Sequence, residues 1–274
     1  MSWKWFAIPL IIIALVFLYF TWEVDEKYAL YIIPPVVGLA ILFVLSPQID
    51  WWVARRNPPE LDPKIRQLLT QRSPYYNKLS AEQKKLLRDR IGLFSMSIDF
   101  KPQAMESVPN DVIAIIGFYG AQITLGLDQF LLPPFENVVL YPGAFPSPQF
   151  PKHWHASEVF EEDGVFLFSM DHLMKGFLNP LQYYPVGLHE MAQAFLLRYR
   201  DKDYPMVDAS TWEDIRQISG IDRERLTKYI GLPEVAILPV CITYFFTLPE
   251  RFKAVRPDLY DALSRIFLQD PASK

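Results

Sequence analysis

Apolar and polar positions change their spacing along this chain, and the first change comes early. Residues 5–22 and 28–45 each form an uncharged run of 18 residues, long enough to cross the hydrocarbon of a bilayer as a helix. Trp3, Trp5, Trp22, Tyr28, Trp51 and Trp52 stand at or near the ends of these runs, where amphipathic rings favour the headgroup region. The pattern predicts two transmembrane helices. A cleaved signal peptide would need a small-x-small site after the first run, and the acidic stretch Glu23, Val24, Asp25, Glu26 follows instead. Pro34 and Pro35 lie inside the second run and predict a kink there.

Beyond the second run the spacing becomes that of a soluble domain. Residues 57–63 read Asn-Pro-Pro-Glu-Leu-Asp-Pro, a stiff polar connector. Ser80 with Gln83 has the form of a capping box, and Leu86, Leu87, Ile91, Phe94 and Ile98 follow at helical spacing. A more apolar helix is expected over 111–127, although Gly117, Gly120 and Gly126 weaken it. Residues 138–141 and 165–168 are short β-type runs bounded by Pro-Gly and Asp-Gly, which predict a small sheet. A proline-rich loop over 145–155 separates them, and an apolar helical run spans 181–200. The expected architecture is α+β and mostly helical: a hairpin anchor over 1–56, the connector over 57–63, and a folded domain over 64–274.

Composition adds exclusions. Hydrophobic residues make up 51% and aromatics 15%, ample for a sizeable core. A net charge of −4, without a basic stripe interleaved with aromatics, excludes nucleic acid as the expected partner. The partner the apolar runs imply is the lipid bilayer. Lys4 precedes the first run and Arg55 and Arg56 follow the second, whereas the loop between them holds Glu23, Asp25 and Glu26 against Lys27 alone. Both ends are therefore expected on the cytoplasmic side. The single cysteine, Cys241, excludes an internal disulfide framework, and its Val-Cys-Ile context is that of an inert core thiol. No phosphate-binding loop, nucleophile elbow or dinucleotide fingerprint is present.

The candidate chemistry lies in His189-Glu190-Met191-Ala192-Gln193. In a His-Glu-x-x-His helix, two histidines four apart bind Zn²⁺ on one face and the glutamate is general base on the metal's water. Here His189 is a candidate metal ligand and Glu190 a candidate catalytic base, but the second histidine is replaced by Gln193, whose amide oxygen is a weak donor to zinc. His153 and His155 form a second candidate pair, since residues i and i+2 of an extended segment share a face.

An ordered set of pieces resembles the Mlc titration factor A family of bacterial zinc peptidases. They are Tyr75 and Tyr76 with Leu79; Leu-Tyr-Pro-Gly-Ala-Phe over 140–145; Leu-Phe-Ser-Met-Asp over 167–171 before the His-Glu helix; Phe245 and Phe246 with Pro249; Pro257 to Tyr260 with Leu263; and Gln269 to Pro271. The resemblance runs from about residue 70 to 271 and implies a gluzincin-like domain, in which a glutamate from a following helix completes the zinc shell. That position is Ala236 here, with Glu234 the nearest carboxylate; on an α-helix two residues amount to about 200° of rotation, which turns Glu234 away from the site. The expected reading is a catalytically degenerate pseudo-peptidase at the cytoplasmic face of a bacterial inner membrane. It would need no cofactor and would bind a peptide or regulatory protein, the strand-loop segment of Tyr141 and Phe145 serving as its edge. The family's named partner is a glucose-responsive repressor. The alternative is an active zinc peptidase that completes its shell with Gln193, His153, His155 or Glu234.

Overall fold

The computed structural model describes residues 3–273 and divides into two compact units, 1–59 and 60–274. In the first, α1 (Trp3–Glu23) is followed by a 3-10 helix (Glu26–Ile32), α2 (Ile33–Val44) and α3 (Ser46–Arg56). Both Trp3–Glu23 and the continuous stretch Glu26–Val44 are long and apolar enough to cross a membrane, with mean hydropathies of 2.2 and 1.9. Phe17 stacks on Tyr31 at 5.4 Å, while Trp5, Ile12, Tyr19 and Phe43 stay exposed. Pro34 and Pro35, expected inside a continuous helix, instead stand at the start of one. They occupy the first turn of α2, where no intrahelical N–H is required and the fixed φ of proline suits a helix start. The chain absorbs the break by changing from 3-10 to α geometry at Ile33.

The second unit starts with α4 (Pro63–Arg72), capped by Asp62, whose carboxylate accepts the Lys64 N–H at 2.8 Å. After the short α5 (Pro74–Lys78), Ser80 and Gln83 cap α6 (Ala81–Met96) reciprocally, as their spacing predicts. Leu87, Ile91 and Phe94 of α6 are buried against α7 (Asn110–Ile123). That second helix ends at Ile123 rather than near 127. The Arg90 guanidinium donates to the carbonyls of Thr124 at 2.7 Å and Leu127 at 2.7 Å, which satisfies this terminus in a turn.

The sheet holds β1 (Asp99–Pro102), β2 (Asn137–Tyr141), β3 (Ser157–Phe160) and β4 (Val165–Ser169) in the order β1-β2-β4-β3. β1, β2 and β4 are parallel, and β3 runs antiparallel to β4 at the edge. Two of these strands, β1 and β3, were not expected. After β4 come α8 (Met170–Leu178) and α9 (Val186–Arg198), then α10 (Thr211–Ser219), α11 (Arg223–Ile230), α12 (Ile237–Thr247), α13 (Pro249–Val255) and α14 (Pro257–Phe267). α9 sits at the centre of the unit, packed on α7, α12 and β3, with Leu188, Met191, Ala192 and Phe195 fully buried. The α+β, mostly helical class stands.

A candidate active-site cleft on the His-Glu helix

Residues of α9 reach a cleft of about 150 Å³ through His189, Glu190 and Gln193. β3 contributes Glu158 and Val159, the preceding loop Gln149 and Phe150, and the connector between α11 and α12 contributes Glu234 and Ala236. That connector exists because Gly231 ends α11 with φ +88°, a left-handed cap that costs glycine little. A Cβ there would fall 2.2 Å from the Trp154 carbonyl oxygen, so the close approach also requires glycine.

His189 is 5% exposed. Its Nδ1 lies 2.7 Å from the Tyr184 hydroxyl, which lies 3.2 Å from Thr243 Oγ1, which donates to the Pro239 carbonyl at 2.8 Å. In the Nδ1–H tautomer of His189 every proton of this chain finds an acceptor. The Thr243 proton goes to Pro239, the Tyr184 proton goes to Thr243, and Tyr184 is left to accept from His189 Nδ1–H. Nε2 then carries a bare lone pair. Burial lowers the His189 pKa to about 3, so the ring is neutral.

Glu190 is 2% exposed and accepts a hydrogen bond from Ser157 Oγ at 2.6 Å. Burial pushes its carboxyl up to about 8; Ser157 opposes this, and the Glu158 charge adds to it. At neutral pH Glu190 is therefore mostly an un-ionised acid. Glu158 is buried as well, with Oε2 at 3.1 Å from His155 Nε2.

The structure decides one open candidate and corrects two expectations. His153 and His155 do not form a metal pair: His155 is buried with Nδ1 against the His153 carbonyl and Nε2 against Glu158, while the His153 side chain is exposed. Glu234 is not turned away by helical phase, because α12 begins only at Ile237 and Ala236 is its extended N-cap at φ −69°, ψ 135°. In an extended segment residues i and i+2 share a side, and both Glu234 and Ala236 line the cleft. The strand of Tyr141 offers no edge, since β2 is paired on both sides, by β1 and β4. Phe145 is buried, stacked on Tyr141 at 4.4 Å and edge-on to His155 at 4.5 Å, so both rings support the site from within. The strand that borders the cleft is β3.

Tyr184, Ser157, Glu158 and Thr243 were missed by sequence reasoning. Tyr184 had a usable signal, standing with Pro185 just before the helix. Ser157 and Glu158 lie on a strand of four residues, too short for a visible period. Cys241 is fully buried and burial pushes its thiol up to about 12, which leaves it inert.

A hydrolytic zinc site requires three strong protein ligands and an open position. Among the described residues no group of three His, Cys, Asp or Glu side chains is gathered closely enough to hold a metal ion. His189 offers one imidazole and Gln193 a weak amide, Glu158 is tied to His155, and Glu234 lines the cleft without being gathered with them into a ligand group. The residues present do not fit zinc.

A family model described as Glucose-regulated metallo-peptidase M90 matches residues 49–268, a stretch that contains every residue of this cleft. No curated protein matches the chain.

Proposed function

This chain belongs to the M90 family of glucose-regulated metallo-peptidases, and on that premise we propose that it is a pseudo-peptidase whose cleft binds an extended peptide segment of a partner protein. The observation that carries this is the donor set. Members of the family are usually zinc-dependent, but here an amide stands at the second ligand position and, among the described residues, no trio of strong donors surrounds His189. Without a bound metal there is no activated water for Glu190 to deprotonate, and its own carboxyl is protonated at neutral pH.

The cleft itself is retained. β3 is an edge strand along it, and an edge strand supports recognition of an extended peptide by main-chain pairing. The apolar pair Trp3–Glu23 and Glu26–Val44 serves as a membrane anchor. Lys4, Arg55 and Arg56 against the acidic loop from Glu23 to Glu26 favour both ends on the cytoplasmic side of a bacterial inner membrane.

One observation favours the zinc-peptidase alternative: Glu234 lines the same cleft as His189. Elemental analysis of the full-length protein, purified in detergent and dialysed against trace zinc, separates the readings. The pseudo-peptidase reading expects well under one zinc per chain and no cleavage of a peptide library. One tightly held zinc, lost together with cleavage on His189→Ala, establishes the enzyme instead.

A further inference from the structure

Charge along the His189 cleft is one-sided. Glu158, Glu190 and Glu234 line it, and no lysine or arginine does. Arg223 and Lys228 stand outside, in a neighbouring hollow that shares only Leu232 with it. Glu234 is exposed and forms no ion pair among the described residues.

A second observation at this cleft points to a ligand. Glu190, 2% exposed, accepts from Ser157 through Oε1, while its Oε2 makes no hydrogen bond. Unlike Glu158 Oε1, which is sealed off, that oxygen keeps accessible surface. Since Glu190 lines this cleft, the oxygen opens here. Gln193, half-buried and three residues along the same helix, adds an amide oxygen. An oxygen drawn so far from bulk water without a donor is costly, unless a ligand brings one.

We propose that this cleft seats an arginine side chain of the partner's extended segment, its guanidinium donating to Glu190 Oε2 and paired with Glu234. The inference rests on the peptide-binding reading above and names the residue that is read. A cleft of about 150 Å³ matches a cavity that takes up one benzene ring, so a single side chain fills it. Positive charge follows from the acids in the walls, Glu234 through contact and Glu158 through its field. Arginine is favoured over lysine because the open acceptors stand on two elements, Glu190 and Gln193 on α9 and Glu234 on the connector. A planar fork of five donors spans such a set, and a guanidinium is more weakly hydrated than an ammonium. Phe150 and Val159 give its stem an apolar wall. The same acids are not gathered closely enough for a metal ion, whereas a guanidinium spreads its charge over a wider plane.

The test uses the full-length protein in phosphatidylcholine nanodiscs, with a chelator present so that no metal bridges cleft and peptide. The probes are immobilised pools of end-blocked pentapeptides. Their central residue is arginine, citrulline or glutamate, and the other positions mix alanine, serine, threonine and valine. Citrulline keeps the shape of arginine without its charge. The arginine pool is expected to bind at least about tenfold more tightly than the citrulline pool, and the glutamate pool not at all. Glu234→Gln, at an exposed position, is expected to shrink the preference for arginine about two- to fivefold. Ala236→Trp, which fills the cleft from the connector, is expected to abolish binding of every pool. Equal binding of arginine and citrulline, a preference for glutamate, or a preference unchanged in Glu234→Gln overturns the arginine proposal. Where Ala236→Trp still abolishes binding in those cases, the peptide-binding reading survives. Binding that persists in Ala236→Trp, or no binding of any pool by the wild-type chain, overturns both.

Discussion

Ser157 Oγ donates to Glu190 Oε1 at 2.6 Å, tying the edge strand β3 to the helix that carries the His-Glu pair. The bond is made to a carboxyl that burial holds at a pKa of about 8, against an ordinary value of 4.5. Burial outweighs the hydroxyl, because one hydrogen bond does not replace the hydration that a carboxylate loses.

The first prediction is a fall in stability on the alkaline side. Glu190 has a raised folded pKa, so its contribution is whole below about pH 4.5 and is lost as pH rises through about 8. Thermal melts of the wild-type chain between pH 5 and pH 9, a range chosen at roughly the ends of this window, are expected to show Tm declining. Glu190→Gln should flatten the decline, since an amide has no proton to lose. A wild-type chain whose Tm is unchanged or rises across this range contradicts a buried acid at this position.

The second prediction concerns His189, where the slope has the opposite sign. Its folded pKa is depressed to about 3, so the stability it contributes is whole above about pH 6.5 and is lost as pH falls through about 3. Tyr184→Phe removes the acceptor for Nδ1–H in a buried setting and is expected to cost about 1–3 kcal/mol. For a domain of this size that lowers Tm by roughly 2–4 °C per kcal/mol. A Tyr184→Phe protein with wild-type Tm would show that the His189 N–H finds another partner.

How much of this site was readable in advance depended on local signals. The capping box of Ser80 and Gln83 and the His-Glu helix were legible because their residues lie within one turn of each other. Glu234 was misplaced because the start of α12 carries no side-chain cap. Pro239, in the first turn of that helix, was the available marker that Ala236 precedes it. Tyr184 and Thr243 are 59 residues apart, and Ser157 and Glu190 are 33 apart; no periodicity relates such positions, and only packing brings them together. The prolines at 34 and 35 were recognised as breakers, but their place at a helix start depended on the 3-10 segment before them.

The third prediction weighs propensity against packing at Gly120. Alanine gains about 1 kcal/mol over glycine inside a helix, which alone would make Gly120→Ala stabilising. A Cβ here would lie 2.4 Å from the Phe94 ring, which is fully buried in the facing helix. Overpacking of this kind costs about 1–3 kcal/mol, so the net effect is expected to be a lowered Tm. An unchanged or raised Tm would mean that α6 and α7 separate freely.

The fourth prediction rebuilds what the donor set lacks. Gln193→His places a second imidazole four residues from His189 on one helical face, yet supplies only two strong ligands. Zinc uptake by that variant is expected to stay below one per chain. Adding Ala236→Glu brings a carboxylate to a position that already lines the cleft, which makes three ligands and leaves a fourth place for water. The double variant is expected to hold one zinc per chain, read by elemental analysis after dialysis. Glu234→Gln in the Gln193→His background resolves the remaining ambiguity, because Glu234 lines the same cleft. If Gln193→His alone binds a full equivalent and Glu234→Gln abolishes it, Glu234 is a competent third ligand and a single substitution separates this chain from a complete zinc site. If the double variant stays empty, the connector before α12 holds its carboxylates too far from His189, and the loss of metal is built into the backbone as well as into the side chain at 193.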